Sequence, residues 1–212
     1  MSPPSPSLPT KTEHASLALE AWKKVVQTQE HFNEICMKVR TLYATVLAAI
    51  LSLYGVFLKE PTGHGFEIVG LSFDPILMVL IAVFVSTTLF YFVDKEWYHR
   101  LLLGAVNQGA AIEDRWKDIL PEIQLGSKIS ANSPVDLSKN HKLVWFLKLF
   151  INDPRFNETM RLHSDAKVQV FYKPIQILAF VFFVVACFFG GIEYDGHSIV
   201  GWLWQVVRDC CV

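Results

Sequence analysis

Three blocks of apolar sequence organise this chain. From Thr41 to Leu58 there is no charged residue, from Gly70 to Val93 the only charge is Asp74, and from Pro174 to Ile192 there is none. Each block reaches or approaches the roughly 18 to 20 residues that an α-helix needs to cross about 30 Å of hydrocarbon. Ahead of the first block the pattern is periodic. Ala18, Trp22, Val25, Gln29, Phe32, Cys36 and Val39 recur at alternating four- and three-residue steps, one stripe of an amphipathic helix. Thr12 and Glu13 supply a helix start, and no Pro or Gly follows before Gly55. The stripe is therefore expected to run straight into the first block as one helix of about 45 residues, near 70 Å long at about 1.5 Å per residue.

The second block behaves alike at its other end. Ser72-Phe73-Asp74-Pro75 offers a cap followed by Pro near the first helical position, so Asp74 reads as a helix cap rather than a buried proton carrier. Phe90-Tyr91-Phe92 forms an aromatic belt, and Tyr98, Leu102, Ala105, Gly109, Ile112 and Trp116 continue one face until Pro121. Two long helices joined by a short loop must run antiparallel, and Ala105 with Gly109 makes a small-xxx-small pair that admits a neighbouring backbone. Gln124 to Lys142, rich in Ser, Asn and Gly, reads as a mobile loop. Leu143 to Ile151 is too short to span; flanked by Lys139, Lys142 and Arg155, it reads equally as an interfacial helix in the inner headgroup region or as a docked core helix. Pro174 is expected to open the third span.

The fold class expected is an all-α integral membrane protein with three transmembrane helices, the first two extended into long antiparallel cytosolic helices. In order, the chain divides into a disordered N-terminus (1–12), a cytosolic helix running into the first span (13–58), an outer loop (59–70) and a second span running into a cytosolic helix (71–120). A cytosolic linker with the segment 143–151 (121–170), a third span (171–192) and an outer tail (193–212) complete it. Tyr91, Trp145, Trp202 and Trp204 are the expected membrane-interface anchors.

Charge orients this arrangement. Of 19 Lys and Arg, five precede Thr41, Lys59 lies between the first two blocks, 12 lie between Val93 and Pro174, and Arg208 follows the third. The positive-inside rule then puts the N-terminus and the long middle segment in the cytoplasm and the C-terminus outside. The Pro/Ser-rich start has no apolar core of a cleavable signal, so the first span would act as the membrane signal. Basic residues alternate with acids and the net charge is -1, so direct nucleic-acid binding is not expected.

Composition removes several chemistries. The spans carry no acid, base or His at mid-depth, where proton relays and ion-coupled transporters need them, and Ser86, Thr87 and Thr88 can bond to their own helix. Cys36, Cys187, Cys210 and Cys211 have no metal-ligand spacing, and the terminal pair does not fit the prenylation pattern. Neither a Gly-rich phosphate loop nor a nucleophile elbow occurs. For an enzyme, the candidates are His99, His141 and His163 with nearby acids. Glu96 and His99 can share a helix face, as metal-binding Glu-x-x-His pairs do in helical bundles, but one copy lacks enough ligands and a salt-bridged solvated face accounts for it better. No catalytic residue, cofactor or metal is expected.

The segment Asp94-Lys95-Glu96-Trp97-Tyr98-His99-Arg100-Leu101-Leu102-Leu103-Gly104-Ala105-Val106, with Ile112-Glu113 after it, resembles the stretch that follows the second span in small bacterial membrane proteins. Some of these resemble the two-transmembrane effector modules of anti-phage systems, including nucleotide-signalling operons and retrons. The resemblance implies a non-enzymatic protein of the bacterial inner membrane that assembles as a homo-oligomer in the lipid bilayer and damages it when a cytosolic protein partner triggers it. Trp97, Tyr98, His99, Arg100, Ala105, Gly109 and Glu113 are then the assembly or gating candidates. A membrane-anchored interaction scaffold or sensor without a pore, and a small channel component, are the alternatives.

Overall fold

The computed structural model describes residues 11–57, 66–68, 71–189, 192–194, 197–198 and 201. Residues 1–10 of the expected disordered N-terminus, most of the 59–70 loop, and Trp202, Trp204, Cys210 and Cys211 lie outside them; Lys11 and Thr12, expected in that N-terminus, are helical. Helix α1 runs Lys11–Phe57 without interruption, as expected from the lack of Pro and Gly before Gly55, which itself lies in the last turn. After strands β1 (Phe66–Ile68) and β2 (Leu71–Phe73) comes α2 (Pro75–Tyr91). Asp74 caps α2 as expected: its Oδ1 accepts from the Ile76 amide at 2.8 Å, and Pro75 follows in the first turn.

The descending helix is not one α-helix. Between α2 and α3 (His99–Trp116), residues Phe92–Tyr98 form a π-helical turn, closed by the His99 amide on the Asp94 carbonyl. The buried positions explain it. Val83, Thr87, Asp94 and His99 are buried, and the last step, five residues, matches one π turn where an α-helix would turn His99 off the packed face.

Beyond α3 the expected loop is partly helical. Helix α4 (Leu125–Asn132), strand β3 (Val135–Asp136), helices α5 (His141–Lys148) and α6 (Pro154–Thr159), and strand β4 (Arg161–Leu162) lead into α7 (Ser164–Phe189). Val135 pairs with Leu162 and Asp136 with Arg161, so the segment folds back on itself. Helix α7 begins ten residues before Pro174 and passes through it. Pro174 therefore does not open the helix; it removes one internal hydrogen bond, to the Val170 carbonyl.

Short strands β5 (Ile192–Tyr194) and β6 (His197–Ser198) complete an antiparallel sheet in the order β1-β2-β5-β6. Glu67, Ser72, Glu193 and Ser198 share one row of its register. The all-α expectation is thus corrected to a mostly helical fold. Each strand has two or three residues, too few for alternation to be read against the helical pattern.

Helix α1 packs on α2 and α3, and α7 packs on α2. This makes two zones. In the apolar half, α2 sits against both other helices, while Leu53, Val56, Leu89 and Leu178 point outward, each more than half exposed. In the polar half α1 and α3 form an antiparallel pair. A compact core of Val144, Leu147, Ile151, Phe156 and Ala166, with Leu137, Met160, Leu162 and Val170 around it, fastens α5 and α6 to the start of α7. Through Val144 and Leu147, α5 docks on that core. Its opposite face leaves Trp145, Phe146 and Leu149 exposed. Three helices, those containing 11–56, 75–116 and 164–188, are long and apolar enough to cross a membrane.

Candidate functional site

The two halves meet at one layer of polar side chains. Arg40 closes the amphipathic part of α1, and Asp94 lies in the π turn. The guanidinium donates to both carboxylate oxygens, Nε to Oδ2 at 2.7 Å and the terminal nitrogen to Oδ1 at 3.3 Å. Asp94 is fully buried, whereas the Arg40 side chain keeps 28% of its surface exposed. Two parallel charge-assisted bonds of this kind offset much of the cost of taking the carboxylate out of water.

An aromatic cluster seals the pair on its apolar side. Tyr43 and Tyr172 are buried with Val168 and are flanked by Leu47, Phe90, Tyr91 and Ile175. The Tyr43 ring lies 5.0 Å from that of Tyr172 and 5.5 Å from that of Phe90, centroid to centroid. Tyr43 and Thr87 share a buried hydrogen bond of 2.9 Å between hydroxyls, and Thr87 also donates to the Val83 carbonyl at 2.6 Å. Gln176 of α7 donates to the Thr88 hydroxyl at 2.8 Å. The Ser86, Thr87 and Thr88 hydroxyls bond to their own helix as expected; two of them also tie α2 to its neighbours. The Tyr172 hydroxyl is buried without an aligned hydrogen bond.

Below this layer the resemblance segment divides. His99 is buried, with Nε2 3.0 Å from Asp165 Oδ1 at the start of α7. The contact is a close approach of imidazole and carboxylate rather than an aligned hydrogen bond. The Glu96 to His99 contact that the spacing allows does not form: Glu96 pairs with Arg100 and lies 3.6 Å from the Lys95 ammonium. Arg155 bridges Asp153 and Asp165. Trp97 is 58% exposed and stacks on Tyr98 with centroids 6.4 Å apart. Among the described residues, no group of three or more His, Cys, Asp or Glu is placed to hold a metal ion.

Ala105 and Gly109 do mark a close approach, and the partner is α1 of the same chain. Gln29 Nε2 donates to the Ala105 carbonyl at 3.0 Å, and a Cβ on Gly109 would come within 2.7 Å of that nitrogen. Glu113, 2% exposed, is a clamp. Its oxygens accept from the Trp22 indole at 3.0 Å, the Gly126 and Ser127 amides at 2.8 and 2.9 Å, and the Ser127 hydroxyl at 2.7 Å. It thus satisfies the free amides at the start of α4 and binds that helix to α1 and α3.

Burial pushes the Glu113 carboxyl up, but Ser127, Trp22 and Gly126 outweigh it and hold it below the ordinary carboxylate range. A depressed folded-state pKa stabilises fully above the unfolded-state value and ceases to do so as pH falls through the folded-state one. Glu113→Gln is therefore expected to cost about 1–3 kcal/mol at neutral pH, because the amide presents a donor to donors. In urea titrations the gap between variant and parent should narrow as pH falls through the acid range; a pH-independent gap would contradict the clamp.

The structure thus brings His99, Ala105, Gly109 and Glu113 into internal contacts and leaves Trp97 and Arg100 at the surface. Tyr91 is half-buried at the polar layer and Trp145 is exposed on α5. Arg40, Asp94 and Tyr172 were not among the assembly or gating candidates, although Asp94 opens the resemblance segment, and a charge at each inner end of the first two apolar blocks was the available signal. Fold and site together define a mostly helical protein with three span-length helices and a buried ion pair at the boundary of its apolar half. Comparison with protein-family models, with curated proteins and with solved structures finds no match.

Proposed function

We propose that this chain is a non-enzymatic, oligomeric protein of the bacterial inner membrane, an effector that disrupts or permeabilises the bilayer when a cytosolic partner engages its polar half. One observation carries the reading: both long helices pass through the boundary layer, α1 unbroken and α2 into α3 by way of the π turn, with Arg40 and Asp94 locked across it. A displacement of the α1–α3 pair is thereby delivered to the spans, and π turns recur at functional positions in helices. Trp97, Arg100, Leu101 and Gly104 are exposed in the resemblance segment, and they supply the surface for a partner or a second copy. Because α2 packs directly on α1 and α7, a water path runs between copies rather than through one.

The positive-inside distribution supports a cytoplasmic N-terminus and an outer C-terminus. Induced expression with dye entry and membrane potential as readouts tests the function. Dye entry and a collapsing potential are expected once the chain is triggered. An intact potential at high expression, including during phage infection, removes the effector and leaves a membrane-anchored scaffold.

A further inference from the structure

Two ammonium groups converge on one ring at the boundary layer. Lys95, from the π turn, lies 5.4 Å from the Tyr91 ring centroid, and Lys173 of α7 lies 4.9 Å from it. Each gains a cation–π contact, but two cations beside one ring repel, and the carboxylates nearby are already engaged. Asp94 is taken by Arg40. Glu96 is shared between Lys95 and Arg100. Among the described residues Lys173 has no carboxylate partner; it donates to Gln176 Oε1 at 3.2 Å. The place therefore carries excess positive charge.

It also has room. A cleft of about 320 Å³ lies between the π turn and α7; its cations Lys95, Arg100 and Arg155 are matched by the carboxylates Glu96, Asp153 and Asp165, so the uncompensated charge is that of Lys173 at the ring. Tyr91 precedes Lys95 by one helical turn and Lys173 follows Gln169 by one, so the ring and Lys173 stand one turn beyond the cleft-lining residues Lys95 and Gln169, on the side of the apolar half. On the membrane reading above, on which this inference rests, that place is at the level of the inner-leaflet headgroups. Lysines clustered between spans at that level, as Lys95 and Lys173 are at Tyr91, attract lipid headgroups.

We propose that Lys95 and Lys173 clamp a phosphate group at the Tyr91 ring, supplied by the headgroup of a phospholipid of the inner leaflet. A phosphodiester has two non-bridging oxygens, one for each ammonium, and both lysines stand on flexible four-carbon stems that can close on it. The clamp joins the π turn to α7, so a bound headgroup would hold together the two elements that the boundary layer couples.

The full-length protein, stripped of lipid in detergent, gives the test. Its thermal midpoint and native mass are followed while phosphatidylglycerol or inorganic phosphate is added. Phosphatidylglycerol is expected to bind and raise the midpoint. Apparent affinity should fall roughly 5-fold for Lys95→Gln or Lys173→Gln and roughly 25-fold for both, from about one charge contact each. Lys173→Arg should bind like the parent, and Lys142→Gln, on the exposed part of α5, should change nothing. Stabilisation by phospholipid alone assigns the phosphate to lipid, whereas an equal, lysine-dependent effect of inorganic phosphate assigns it to a free anion. Unchanged phosphatidylglycerol binding by the double variant overturns the clamp. Alkaline carbonate extraction is read separately: a chain that washes off membranes yet still binds phosphate would remove the membrane reading and leave the clamp.

Discussion

Arg40→Ala is expected to destabilise the protein by about 3–5 kcal/mol, because it strands the Asp94 carboxylate in a fully buried position without a counter-charge. Asp94→Asn is expected to cost less. It removes the buried charge itself, and the Arg40 left behind keeps 28% of its side chain exposed, enough to reach water. Combining the two should restore much of what Arg40→Ala loses, a coupling that a double-mutant cycle isolates. Chemical denaturation in detergent supplies the three values. If Arg40→Ala stays within about 1 kcal/mol of the parent, far under the cost of an unpaired buried charge, the pair does not hold the boundary layer.

The second large effect is confined to the polar half. Phe156 is fully buried in the core that joins α5 and α6 to α7, and Phe156→Ala should cost about 3–5 kcal/mol through lost burial and the cavity left behind. The damage should be local. The α1–α3 pair has its own contacts through Gln29, Trp22 and Glu113, so limited proteolysis is expected to cut first between residues 133 and 163 while α1 and α3 stay protected. Simultaneous loss of all segments would mean that this core also carries the long helices. The exposed Trp145 on α5 contributes nothing to that core, so Trp145→Ala serves as the control with near-parental stability.

What the sequence disclosed and what it hid follow from the range of the interactions. The α1 stripe through Trp22, Gln29 and Cys36 was legible because helical periodicity is local, and so was the Asp74 cap. Gly109 was legible as a close approach, expected of a neighbouring backbone, but the group that fills it is the Gln29 side chain, 80 residues earlier. Long-range pairing was the obstacle elsewhere. Asp94 at the end of an apolar block looks like an ordinary solvated boundary charge until Arg40 is set opposite it. His99 has Glu96 three residues away in sequence, yet the fold gives it Asp165. Helix α4 reads as a loop because its amides are satisfied by Glu113, from another helix, rather than by a residue at its own start. The π turn leaves no signature in composition; it appears once the buried positions on either side are known.

The central claim is that three helices cross a membrane with the Arg40–Asp94 layer at its inner face. Cysteine accessibility in intact cells measures this most directly, using a chain that keeps the buried Cys36 but has Cys187, Cys210 and Cys211 replaced. A reporter cysteine placed at exposed Ser130 should resist a membrane-impermeant thiol reagent until the cells are permeabilised, whereas one placed at Gly201 should react at once. Equal labelling of both positions before permeabilisation, or of neither, would contradict the topology and with it the account of how the two halves are coupled.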